Sequence, residues 1–98
     1  MSSVETHELL TRAAALFGAV AADGVGLPIE VALESAHAAA LLTRAGAAAS
    51  PAALVEGDVD TTIREAIAVL ARLDETAFKS EAVRSAAIAA LRTMRWLS

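Results

Sequence analysis

Cysteine and tyrosine are both absent from the 98 residues, proline occurs twice, and Phe17, Phe78 and Trp96 are the only aromatics. The missing thiol excludes disulfides, thiolate zinc sites and thiol-based catalysis together. With so few aromatics and no alternation of β-branched residues, no segment reads as a strand. No apolar stretch reaches the ~18–20 residues of a membrane span, so no membrane partner is expected. Residues 13–22 have the apolar look of a signal-peptide core. Glu5 and Glu8 outweigh Arg12 ahead of them, however, where a secretory leader is positive. The expectation is a cytoplasmic protein. Basic charge is scarce too: the formal net charge of −4 predicts no nucleic-acid partner.

What the chain has instead is alanine, 26 residues of it, spread through the apolar stripes. Alanine orders into a helix without losing side-chain entropy, and its small methyl lets helix axes approach closely. It contributes little burial, about 0.8 kcal/mol per methyl. The larger stabilisation must come from the leucines with Ile29, Ile63, Ile67, Ile88, Phe17, Phe78, Met94 and Trp96. A core so rich in small residues is thin, and a partner chain, most simply a second copy, is expected to supplement it.

Helix signals divide the chain into four long segments. Ser2 with Glu5 fits a capping box, and Leu9, Ala13, Leu16, Phe17 and Val20 mark one face of a helix over residues 4–22. Asp23-Gly24-Val25-Gly26 stops it, glycine accepting the left-handed conformation of a helix end. A second helix starts at Pro28, as a first-turn residue, carries an Ile29, Leu33, Ala36, His37, Ala40, Leu41 stripe and ends at Gly46. Ser50-Pro51 repeats the cap-then-proline signal for a short turn through Val55, closed by Gly57. Asp58 or Asp60 caps a third helix whose core face is Ile63, Ala66, Ile67, Leu70 and Leu73. The regular helix breaks over residues 74–79. Ser80 then caps a fourth helix, with Val83, Ala87, Ala90, Leu91 and Met94 inward, ending near Trp96.

The expected fold is therefore all-α: a compact four-helix bundle of two antiparallel hairpins, residues 4–46 and 58–97, in a single domain over residues 1–98. A linker over residues 47–57 joins the hairpins and carries a short extra helical turn near residues 50–56. Charge divides along the chain: residues 1–60 carry eight acids against Arg12 and Arg44, while residues 61–98 carry four acids against six bases. Attraction between the halves, within or between chains, follows.

Chemical motifs are sparse. Glu34-Ser35-Ala36-His37 puts a carboxylate and an imidazole one helical turn apart, and Glu30 extends that ridge. Di-iron bundles use such a device twice, with two further glutamates, whereas here it occurs once. Glu30, Glu34 and His37 form the weak metal candidate. In a hairpin closing at Gly24, His37 falls opposite Arg12 or Ala13, which makes Glu34, His37 and Arg12 the catalytic alternative. His7 is then roughly 9 Å further along the axis and cannot share an ion with His37. The loop at Asp23 lacks the lysine and third glycine of a phosphate cradle. Residues 43–55 imitate a helix-turn-helix but offer alanine where base-reading side chains belong. No Gly-x-Ser-x-Gly motif and no Asp-Ser-Leu attachment site occurs, so no cofactor is expected. Trp96 with Arg92 and Arg95 are residue types that dominate interfaces, and form the partner-binding candidate. The competing role of the arginines is to complement the helix dipole and pair with Asp58 and Asp60.

The function expected is a small helical protein–protein interaction or assembly module, self-associating as a homodimer, or with another protein partner, through alanine-lined faces. It would carry no catalysis of its own. The alternative is a small helical enzyme or enzyme subunit around Glu34 and His37. An apolar small molecule held between small residues is a further possible partner.

Overall fold

A computed structural model of the chain describes residues 2–24, 26–49 and 51–97. Its four α-helices are α1 (Ser3–Asp23), α2 (Ile29–Arg44), α3 (Val59–Ala71) and α4 (Glu81–Leu97), with 3-10 turns at Val55–Gly57 and Ala77–Lys79. No strand occurs among the described residues. The all-α bundle expected from the sequence is present, with extents of 38 × 22 × 19 Å.

Ser2 caps α1 with the hydroxyl half of the predicted capping box, and Glu5 bonds that hydroxyl instead of the Ser2 amide. Its hydroxyl accepts the Glu5 amide at 3.1 Å and donates toward the Glu5 carboxylate at 3.3 Å. Every residue of the predicted α1 face, from Leu9 to Val20, is buried. Gly24 ends the helix by donating to Val20 O, but its φ is −79°, outside the left-handed region expected of it. Glycine is needed there for space, since a Cβ would collide with the Leu27 side chain and stand 2.7 Å from Val20 O. The left-handed residue of this turn is Gly26, at φ 82°. Val25, between them, lies outside the described residues. Pro28 caps α2 instead of entering its first turn.

α1 packs against both α2 and α3, and α4 closes the ring mainly against α2, with a thinner seam to α3. Each neighbouring pair is antiparallel, so α2 and α3 point the same way. The chain leaving α2 must therefore travel back along the bundle before α3 can begin, which explains the long linker. It does so over α1: the Ala48 amide donates to Thr11 Oγ1 at 3.0 Å, Pro51 and Ala52 lie against Ala15 and Leu16, and Leu54 packs on Val20, Val31 and Ile63. The predicted short helical turn is present but sits at Val55–Gly57. Ser50, its expected cap, lies outside the described residues.

Asp58 caps α3, accepting the Asp60 amide at 3.0 Å and the Thr61 hydroxyl at 2.8 Å. The predicted α3 face points inward, with Ile63, Ala66, Leu70 and Leu73 buried and Ile67 packed against them. The expected break follows, and Ser80 Oγ accepts the Val83 amide at the start of α4.

α2 is rotated from its predicted orientation, and α4 departs from its predicted face at Leu91. The buried residues of α2 are Val31, Ser35, Ala38, Leu41 and Leu42, while Ile29 and Leu33 stay 68% and 62% exposed. Of the predicted stripe only Leu41 is buried; Ala36, His37 and Ala40 face out. In α4 Val83, Ala86, Ala89, Ala90 and Thr93 are buried and Ala87 and Met94 pack against the core, as expected of Val83, Ala87, Ala90 and Met94, while Leu91 is turned outward. Ile88 and Trp96, counted from the sequence as core stabilisers, are about half exposed.

Candidate functional site

The outer surface of the α2–α4 layer holds most of the molecule's misplaced apolar bulk. Ile29 and Leu33 stand on α2, and Ile88, Leu91 and Trp96 on α4. Beneath them α4 turns mostly small residues inward, Ala86, Ala89 and Ala90 among them, while α2 buries Ser35 and Ala38 beside Val31, Leu41 and Leu42. Small residues at contact positions let two helices approach toward the short end of the 8–10 Å interaxial range.

An ion pair between α2 and α4 sets how the two helices stand side by side. Arg92 Nη1 lies 3.6 Å from Glu34 Oε1. Nearer the other end of α2, Leu41 and Arg44 share a small cleft with Glu81, Ala82 and Ser85. Antiparallel pairing from these two points puts Ile88 between the levels of Ala36 and Ala40, and Trp96 at the level of Glu30. Arg92 is half exposed, so the pair is screened and contributes at most about 1 kcal/mol. Glu34 Oε2 and Ser35 Oγ are buried and make no hydrogen bond within the chain.

Trp96, Arg92 and Arg95 line a shallow cleft of about 420 Å³ on this surface. The arginines do not reach Asp58 and Asp60 as the hairpin reading expected. Asp60 pairs instead with Arg64 on its own helix at 2.9 Å, and Arg92 pairs across to α2. The partner-binding trio thus belongs to the same face as the exposed α2 stripe, a convergence that sequence reasoning missed.

The chemical candidates are dispersed. Arg12 reaches toward α3, 3.2 Å from Glu65, while Glu34 turns toward α4 and His37 is exposed. Among the described residues no group of three or more His, Asp or Glu side chains stands close enough to hold a metal ion, and Glu30, Glu34 and His37 form no such group. A second cleft, about 390 Å³, brings His7, Asp74 and Ser80 together at the opposite end of α1 from Gly24. From the sequence Ser80 has no histidine nearby; the fold supplies one. Ser80 Oγ is taken up by the Val83 amide, however, and Asp74 Oδ1 accepts the Ala77 amide at 3.1 Å. Both side chains serve backbone at helix ends, and a nucleophile would need its hydroxyl directed at a base.

Alanines also line an open groove of about 420 Å³ on the outer side of α1, where Ala14, Ala15, Gly18 and Ala22 face the linker residues Ala48, Ala49 and Pro51. Among the described residues no helix is long and apolar enough to cross a membrane. No protein-family model, curated protein or solved structure matches the chain.

Proposed function

We propose that this protein is a helical docking module without catalysis of its own, which self-associates through the outer face of α2 and α4. One observation carries the reading: Ile29 and Leu33 of α2 and Ile88, Leu91 and Trp96 of α4 all stay at least half exposed on the outer side of these two helices. α2 carries bulky apolar residues on two sides, Val31, Leu41 and Leu42 turned to the core and Ile29 and Leu33 turned to solvent. Monomers rarely leave such surface uncovered, and contiguous apolar patches rimmed by charge mark association sites. Ala36 and Ala40 extend the α2 stripe, so the face is alanine-lined over half its length.

A concentration series in analytical ultracentrifugation tests this. The expected result is a reversible monomer–dimer equilibrium at micromolar concentration. A strictly monomeric species across the series overturns the reading.

A further inference from the structure

Building on that reading, we propose that the occupant of this face is a second copy seated with α2 of each protomer on α4 of its partner, related by a two-fold axis parallel to the helices. The reasoning starts from symmetry. A two-fold rotation leaves height along its own axis unchanged, so residues standing side by side within one chain stand opposite one another across the interface. The pairing of α2 with α4 inside the protomer therefore dictates the pairing between protomers, with no freedom to slide.

That dictated pairing is complementary in charge. The outer part of α2 near its start carries Glu30, and α4 carries Arg95 near the same level. An acid of one copy thus meets an arginine of the other, and symmetry repeats the contact; Glu34 and Arg92 are already paired within each chain. Toward the other end the signs exchange, Arg44 on α2 standing level with Glu81 on α4. The alternative two-fold, perpendicular to the helices, sets α2 on α2 and α4 on α4 and forgoes this match.

Shape agrees with charge. At the shared levels Ile88 of one copy faces the shallow surface of Ala36 and Ala40 on the other. Trp96 faces the neighbourhood of Ile29. Large side chains meet small ones on one half of the face, and two bulky apolar groups meet on the other. Opposite potentials across such a face fix orientation and suppress other pairings.

Charge reversal tests the arrangement. Glu30→Arg and Arg95→Glu, each alone, place like charges opposite one another twice per dimer and weaken association by about tenfold or more. Mixing the two variants in equal amounts restores dimers. In the heterodimer the guanidinium introduced at position 30 of one copy meets the carboxylate introduced at position 95 of the other, and the unaltered Arg95 and Glu30 meet at the symmetry-related contact. No contact inside one chain can be repaired by mixing. Single cysteines in this cysteine-free chain give an independent measurement. Ala36→Cys mixed with Ile88→Cys is expected to form a disulfide-linked heterodimer on mild oxidation, and neither variant to cross-link alone. A wild type that dimerises while the mixtures neither re-associate nor cross-link overturns this arrangement and leaves the docking reading standing. A monomeric wild type removes both.

Discussion

Leu33→Ser separates assembly from folding, because Leu33 is on α2 yet contributes little to the bundle interior. Full burial of a leucine side chain stabilises by about 1.5–3 kcal/mol relative to exposure. Leu33 retains 62% of its exposure, so about 1–2 kcal/mol of that is still to be gained when a partner covers it. Two-fold symmetry counts the residue twice, giving about 2–4 kcal/mol lost from the dimer on substitution, or roughly 30-fold to 1000-fold in dissociation constant. The monomer should melt within about 0.5 kcal/mol of wild type, as surface changes ordinarily do. Val31→Ala is the matched control two residues away. Val31 is fully buried against Val20 and Ile63, and its truncation leaves a cavity costing about 2 kcal/mol, or about 10 °C in melting temperature. Sedimentation velocity reads the first effect, and thermal denaturation of dilute protein reads the second. If Leu33→Ser melts like Val31→Ala, or sediments like wild type, the assignment of this side chain to an interface is refuted.

Other outcomes follow from the bundle itself. Gly18 lies mid-helix in α1 with nothing within 4 Å of where a Cβ would stand, so Gly18→Ala should stabilise by about 0.5–1 kcal/mol through helix propensity, read as a higher melting temperature. Ala89 is fully buried on α4; Ala89→Leu should cost about 1–3 kcal/mol by overpacking, and an unchanged melt would show that close helix approach is not what the alanines provide. The Asp58 carboxyl is held below its usual value, chiefly by the Thr61 hydroxyl and also by the Thr61 and Asp60 amides. A depressed carboxyl contributes stability above its unfolded pKa of about 3.9 and loses it as pH falls through the folded value. The difference in melting temperature between wild type and Asp58→Ala should accordingly be largest near neutral pH and shrink in acid; a constant difference from neutral pH to strong acid would exclude the charged cap.

The elements were legible in the sequence, but the face of α2 was not and that of α4 was legible only in part. Caps are local chemistry, so Ser2, Asp58 and Ser80 could be read from their own side chains and those three residues on. The faces of α1 and α3 were legible because their bulky residues recur on one side. In α2 and α4 bulk occurs on two opposed sides, and alanine, present on all sides, gives no contrast to choose between them. Polarity then misleads, since the true inner faces contain Ser35 and Thr93. A buried threonine hydroxyl in a helix is less costly than it looks: Thr93 donates to the carbonyl of Ala90, and Thr62 on α3 donates to that of Asp58. The linker's return along α1 was illegible for another reason, because helix directions follow from tertiary pairing and not from local signals.

The exposed apolar side chains of α2 and α4 have a thermodynamic consequence under the proposed docking. Ile29, Leu33, Ile88, Leu91 and Trp96 are largely exposed in the unfolded chain and remain about half exposed or more after folding. Much of their apolar surface therefore cancels from the folding equilibrium and reappears only in association. The bundle itself is closed by Phe17, Leu42, Ile63, Val20, Val31 and Val83, every one of them at the bottom of the exposure range. On the proposed docking reading, folding and assembly draw on two nearly disjoint sets of side chains, with α2 and α4 presenting one set to each side. Substitutions from the outer set should move the dimer equilibrium at nearly constant monomer stability, and substitutions from the inner set should do the reverse. In an obligate dimer with a shared core the two effects would rise and fall together, so the correlation between them across a handful of variants distinguishes a docking surface from half of a core.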